Sequence, residues 1–208
     1  MRITVFGSTG RIGSAVVVEA HARGHEVTAV VHRRPAEVPE GVGAQTVDLA
    51  DQDQVRAACA DRDAVVSAIG WTPEQPDDLL GWAARALLEA VRGTDTRLLI
   101  VGGAGTLLTD TGLYVDSPTF PPERRRNSLA HVAALTELRA GTNDRWTYLC
   151  PPAVIAPGGR TGQYRVGDHR MLDDPQGAPR ISIVDFAAAV VDLATADDPT
   201  LGHCTVAY

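Results

Sequence analysis

The stretch that most constrains this chain is Val5-Phe6-Gly7-Ser8-Thr9-Gly10-Arg11-Ile12-Gly13. It follows Arg2-Ile3-Thr4-Val5-Phe6, a short β-branched and apolar run that predicts a buried strand. It precedes residues 12–23, which contain no proline and predict a helix. Strand, glycine turn and helix in that order set this pattern apart from a chance glycine match. Gly7 permits the tight turn, Gly10 the approach of backbone N–H groups to a pyrophosphate, and Gly13 close packing of helix on sheet. The helix N-terminus adds partial positive charge. Residues 7–13 are therefore expected to bind a dinucleotide.

The rest of the chain repeats that unit. Strands are expected at residues 26–31, 44–47, 63–70, 97–101, 146–150 and 203–207, and helices at 51–60, 77–91, 128–139 and from Ser182 to Ala194. Ser182 and Asp185 have capping-box spacing, with Asp in place of Glu. Nearly continuous apolar strands alternating with helices predict an α/β fold: a single-domain Rossmann fold with a doubly wound, mainly parallel sheet. Residues 106–127, rich in proline, read as a long irregular segment of the kind that forms lids.

Composition narrows the function. A chain of 208 residues with net charge −7 gives no support to a general nucleic-acid or membrane-surface role. Cys59, Cys150 and Cys204 fit neither a disulfide framework nor a metal pattern, and read as core thiols in a reducing compartment. A fold strand starting at residue 2 leaves no room for a signal peptide, and no apolar run reaches membrane-span length. A cytoplasmic protein, monomer or homodimer, acting on a small molecule is expected. Every one of the 19 basic residues is arginine, so no lysine is available for a Schiff base or for acid catalysis.

Cofactor choice turns on the end of the second strand. Where enzymes that bind NAD carry an acid for the ribose 2′-hydroxyl, this chain has Arg33 and Arg34. Guanidinium groups there, with Arg11 in the glycine turn, suit a 2′-phosphate, so NADP (NADPH) is favoured over NAD. Asp48 is either an acceptor for the adenine amino group or a helix cap. Ala68-Ile69-Gly70 and Val101-Gly102-Gly103-Ala104 end successive strands on the carboxyl edge, where small residues leave space for the nicotinamide ribose and ring.

With these stand Val101-Gly102-Gly103-Ala104-Gly105-Thr106-Leu107, Trp146-Thr147-Tyr148, Pro151-Pro152, Arg160-Thr161-Gly162-Gln163-Tyr164-Arg165 and Ile181-Ser182-Ile183-Val184-Asp185-Phe186-Ala187. In this order they resemble the atypical short-chain dehydrogenase/reductases of the NAD(P)H-binding type. The nearest branch is that of NADH-flavin reductases, related to biliverdin reductase B and more distantly to NmrA-like proteins. The resemblance covers essentially the whole chain and implies a Rossmann core in residues 1–150 with a small C-terminal substrate lobe in residues 151–208, and a nicotinamide lying against the Gly102–Gly105 turn. It departs from the superfamily at two places, the first being the serine often found after the fifth strand, which is absent here with Thr106 the nearest hydroxyl. The Tyr-x-x-x-Lys helix is replaced by a helix holding Ala130-His131-Val132-Ala133-Ala134-Leu135, without tyrosine.

Reduction of an isolated ketone needs a positioned acid, whereas a flavin, quinone or tetrapyrrole yields a delocalised anion that water can protonate later. The expected activity is therefore NADPH-dependent reduction of a conjugated acceptor without a Tyr–Lys pair. The alternatives are a non-redox isomerase or cyclase on the same scaffold, or an NmrA-like nucleotide-sensing module. His131 is the candidate acid and Thr106 a candidate for orienting a substrate oxygen, the alternatives being a helix histidine and a turn cap. Arg160, Tyr164 and Trp71 are candidate substrate contacts, Trp71 being otherwise a packing residue. Arg124-Arg125-Arg126 is either an anchor for an acidic substrate or a solvated run.

Overall fold

Alternate residues of each central strand point to opposite faces, and the helices divide accordingly. The computed structural model describes residues 1–32, 38–142, 145–174, 177–197 and 202–208. Leu98 and Ile100 of β5 (Arg97–Val101) enter one apolar core, while Leu99 and Val101 enter the other. Such two-faced burial is what makes the strand continuously apolar. The first core joins Phe6, Val65 and Tyr148 to α2 (Gln52–Cys59), α3 (Leu79–Ala90) and α4 (Arg125–Ala140). The second joins Ile3, Val5 and Leu149 to α1 (Arg11–Ala22) and α5 (Ile183–Thr195), which pack on each other.

The main sheet contains β1 (Arg2–Phe6), β2 (Glu26–Val31), β3 (Gly43–Thr46), β4 (Ala64–Ser67), β5, β8 (Trp146–Cys150), β10 (Arg165–Gly167) and β12 (Gly202–Ala207). Its order is β10-β12-β8-β5-β4-β1-β2-β3, parallel throughout except for the antiparallel edge strand β10. Strand order reverses between β1 and β4, the switch point at which doubly wound sheets bind ligands. The expected α/β, doubly wound Rossmann fold is present. Residues beyond 150 also return to it, β12 extending the main sheet and α5 covering one face. β9 (Val154–Ala156) and β11 (Arg180–Ser182) form a separate parallel pair.

Residues 106–127 are well structured. The hairpin β6 (Leu108–Thr109) and β7 (Gly112–Leu113) and two short 3-10 turns occupy this stretch. The arginine run is exposed, yet two of its members make pairs. Arg125 donates to the Val115 carbonyl and to Asp116, and Arg126 pairs with Asp77 and covers the Trp71 ring.

Candidate functional site

Gly7 has φ +70°, and a Cβ there would lie 2.4 Å from the Ala68 carbonyl oxygen. A Cβ on Gly13 would lie 2.1 Å from the Gly7 oxygen, so helix α1 and the turn are in direct backbone contact. The Gly10 N–H donates to the Gly7 carbonyl at 3.0 Å, closing the turn. Gly10 is also the N-cap of α1; no side chain caps the helix and its first turn carries no acid. The first N–H groups of α1 are thus left for an external anion. Thr9 and Arg11 are exposed beside them and Ile12 is half-buried. Ser8 is buried instead, its hydroxyl donating to the Val30 carbonyl at 2.7 Å, which ties the turn to the end of β2.

Arg33 and Arg34 lie outside the described residues. Asp48 is exposed and closes a local turn, one carboxylate oxygen accepting the Ala50 N–H at 2.9 Å, while Asp51 is the residue that caps α2. Beyond β4, Ala68 and Ile69 are half-buried and Gly70 is exposed with open space around it. Beyond β5, Gly102 and Gly103 are spaces that side chains of the protein already fill. A Cβ on Gly102 would meet the Tyr148 ring at 2.4 Å, and one on Gly103 the His131 ring at 2.7 Å. Ala104 opens the 3-10 turn that leads to Thr106. The carboxyl edge therefore has a low backbone shelf backed by Tyr148 and His131.

Tyr148 is fully buried, and its hydroxyl donates to the His131 carbonyl at 2.9 Å. With that single proton spent, the 3.2 Å contact between Tyr148 Oη and His131 Nδ1 requires Nδ1 to be the donor. Nε2 is then the unprotonated nitrogen, without a partner among the described residues. Burial lowers the His131 pKa to about 4. His131 is accordingly neutral near pH 7, with Nε2 as a hydrogen-bond acceptor.

Thr106 is enclosed by partners of its own. It is 2% exposed, and its hydroxyl donates to the Gly103 carbonyl at 2.9 Å. Its oxygen also lies 3.2 Å from both Cys150 Sγ and His203 Nε2. An Arg139 N–H faces His203 Nδ1 at 3.4 Å, so the proton of His203 is on Nε2, toward Thr106 and Cys150. Burial first, then Arg139 and His169, lower the His203 pKa to about 4. This buried cluster props the Gly103 turn from behind, and Thr106 has no hydroxyl free for substrate.

Trp71 is 9% exposed, belongs to the first apolar core and donates its indole N–H to the Pro76 carbonyl at 2.9 Å. It packs rather than lining an open wall. Arg160 and Tyr164 are not brought to the shelf either. Arg160 pairs with Glu19 of α1 and the Tyr164 hydroxyl donates to Asp192 of α5, on the helix layer opposite His131. The hydrogen bond from Arg160 is the main cause holding Glu19 below the usual carboxylate range. Asp185 anchors the same loop. Although burial opposes ionisation, the N–H groups of Gly162 and Thr161 and the hydroxyls of Tyr208 and Thr161 hold its pKa down to about 2. Ser182 caps α5 by accepting the Asp185 N–H, as its spacing predicted, but its own N–H donates to the Tyr208 hydroxyl rather than to Asp185.

A reversed strand order, a glycine turn at the switch point and an uncapped helix aimed across it define a dinucleotide-binding Rossmann protein. The model of a family described as NAD(P)H-binding matches residues 7–197, and the chain belongs to that family. It is 37% identical over 200 residues to YwnB, an uncharacterised protein of Bacillus subtilis, covering 92% of this chain and 91% of YwnB. A Streptococcus pneumoniae structure, described as that of a candidate NADH-flavin reductase, matches with TM-score 0.89 and 30% identity over 100% of this chain and 99% of that one. A candidate exported protein of Burkholderia pseudomallei matches with TM-score 0.86 and 36% identity over 100% of both chains. Among the described residues, no helix is long and apolar enough to cross a membrane.

Proposed function

We propose that this protein is an NADPH-dependent reductase of a conjugated acceptor such as a flavin, a quinone or a related ring system. The observation that carries this reading is the pairing of an uncapped phosphate turn with a shelf that offers no proton donor. Gly7, Gly10 and Gly13 leave backbone N–H groups to hold the pyrophosphate, and a methyl group at Gly7 or Gly13 would close that cradle. Arg11 is exposed with no partner among the described residues, and with Arg33 and Arg34 would grip a 2′-phosphate.

When bound, the reduced nicotinamide supplies a hydride. The chain supplies position: Gly102 and Gly103 keep the shelf low, Tyr148 and His131 back it, and the Thr106–His203 cluster holds the turn rigid. His131 is neutral and Thr106 is spent, so neither protonates a localised alkoxide. A delocalised product anion takes its proton from water afterwards, which is why conjugated acceptors suit this site. Buried free cysteines support a reducing, cytoplasmic setting. Purified protein is expected to oxidise NADPH in the presence of free flavin or a quinone. No turnover across a panel of flavins, quinones and tetrapyrroles overturns the proposal.

A further inference from the structure

Two tyrosines hold the end of β12 and the loop before β10 against α5. Tyr164 donates its hydroxyl to Asp192, and Tyr208 donates to Asp185 at 2.7 Å while accepting the Ser182 N–H at 3.0 Å. Asp185 and Asp192 are two helical turns apart, so both anchors lie on one face of α5 and are separated by roughly 10.5 Å. Both tyrosines line an open cavity of about 610 Å³ with Thr161, Gly162, Gln163 and Arg165. Neither ring contacts another aromatic ring among the described residues. With both hydroxyls spent on carboxylates, ring surface is what the tyrosines offer the cavity. Arg165 is the one charged residue of the lining. Its Nε and Nη2 donate to the main-chain oxygens of Tyr208 and Asp173, which leaves Nη1 without a partner among the described residues. Gln163 is bonded only through its main chain, so its carboxamide is unspent as well. The two tyrosines pack on the α1–α5 core, and β12 stands four strands from β1, roughly 19 Å at ordinary strand spacing. The cavity is therefore separate from the phosphate turn and from the Gly103 shelf.

We propose that this cavity is a second small-molecule site, taking a flat aromatic anion such as an aryl carboxylate. It goes beyond the reductase reading and does not depend on it. A planar ring held between two walls needs about 7–8 Å, a contact distance of about 3.5–4.0 Å on each side, and the spacing of the α5 anchors leaves that room. The sign of the charge follows from which groups are already satisfied. Asp192 pairs with Arg23, and Asp185 accepts from the Thr161 and Gly162 N–H groups and from the Thr161 and Tyr208 hydroxyls. Arg165 alone keeps a charged donor in reserve, and a ligand carboxylate would accept from it in a charge-assisted bond while Gln163 donates alongside. A quaternary ammonium, which tyrosine faces otherwise suit, is opposed by Arg165. A saturated acid carries the charge but lacks the flat faces.

Calorimetric titration of the native protein with 2-naphthoate, with and without NADPH, tests this. A Kd of about 1 mM or tighter is expected for a ligand of that size in an open site, unchanged by the nucleotide. Cyclohexanecarboxylate and phenyltrimethylammonium are each expected to bind at least about tenfold more weakly. Y164L removes one flat wall and R165Q removes the charge, and each is expected to weaken 2-naphthoate about tenfold with NADPH affinity unchanged. R165Q leaves both tyrosine hydroxyl bonds in place, so it reads the site even if Y164L fails to fold. In the native protein, 2-naphthoate is expected to shift the backbone amide NMR signals of residues 161–165 and to leave those of residues 7–13 and 102–104 in place. No binding up to about 10 mM overturns the proposal. So does equal affinity for cyclohexanecarboxylate, a preference for the ammonium, competition with NADPH, unchanged binding in R165Q, or amide shifts confined to residues 7–13 or 102–104. If NADPH does not bind, the reductase reading fails separately, and the titration without nucleotide still decides this site.

Discussion

Tyr148 fixes His131 through two contacts of one hydroxyl, donating to the His131 carbonyl at 2.9 Å and facing its Nδ1 at 3.2 Å. The pair sets the tautomer of the one imidazole on the shelf. It also bears on how the fold responds to acid.

His131 and His203 both have pKa values lowered by burial to about 4, from an ordinary 6.5. Above pH 6.5 both are neutral in the folded and unfolded states. As the pH falls from 6.5 toward 4 the unfolded chain takes up protons that the folded one refuses, so stability declines across that window. Asp185, held at about 2 against an ordinary 3.8, adds a separate loss below pH 3.8. Urea denaturation at pH 7, 5 and 4 is expected to show a loss on the order of a few kcal/mol by pH 4. H203Q should reduce the loss in the upper window, His131 still contributing to it, and leave the lower one.

Gly13 and Gly24 make a matched contrast. A Cβ at Gly13 meets the Gly7 oxygen at 2.1 Å, whereas one at Gly24, φ +79°, meets nothing within 4 Å. G13A is expected to cost about 3 kcal/mol or more by forcing α1 off the turn, and to abolish nucleotide binding. G24A carries only the left-handed backbone penalty, about 1–2 kcal/mol, with binding retained. Denaturation and nucleotide titration of both variants check this.

The parts legible in the sequence were those set by local pattern. β5 and β8 span residues 97–101 and 146–150 as their apolar runs predicted, and the glycine turn took the form its flanks implied. The start of α4 was not legible. It begins at Arg125 rather than at residue 128, because the arginines carry no apolar periodicity and are held by Val115, Asp116 and Asp77. The role of Thr106 depended on His203, 97 residues away. Arg160 and Tyr164 were read as pocket residues from their glycine-rich loop; Arg160 pairs with Glu19 of α1, while Tyr164 donates to Asp192 of α5 and lines an open cavity of about 610 Å³ with Gln163 and Tyr208, away from the Gly103 shelf.

Thr106 separates support from chemistry. T106V keeps the volume but removes the bond to the Gly103 carbonyl and leaves His203 Nε2 and Cys150 Sγ facing a methyl group. The expected cost is about 0.5–1.5 kcal/mol of stability, the net worth of a lost hydrogen bond, since the Gly103 carbonyl keeps the Thr106 N–H at 3.0 Å and His203 Nε2 keeps Cys150 Sγ at 3.3 Å. Acceptor kcat/KM should stay within about threefold, since Thr106 stabilises the turn rather than a developing charge. A fall of a hundredfold or more in kcat with unchanged stability would restore Thr106 as a catalytic residue.

Arg11 bears on nucleotide choice. It is exposed at the first position of α1 and has no partner among the described residues, so its charge is available to a ligand at the turn. A charge-assisted hydrogen bond to a phosphate is worth about 1.5–3 kcal/mol, or roughly ten- to a hundredfold in affinity. R11E exchanges that attraction for repulsion of a 2′-phosphate and also places an acid where a ribose 2′-hydroxyl could donate to it. NADPH affinity is therefore expected to fall at least about tenfold while NADH affinity holds or rises. Calorimetric titration of the native protein and R11E with both nucleotides measures the switch directly. An equal loss for both would move Arg11 to the shared pyrophosphate and leave Arg33 and Arg34 to carry the selectivity.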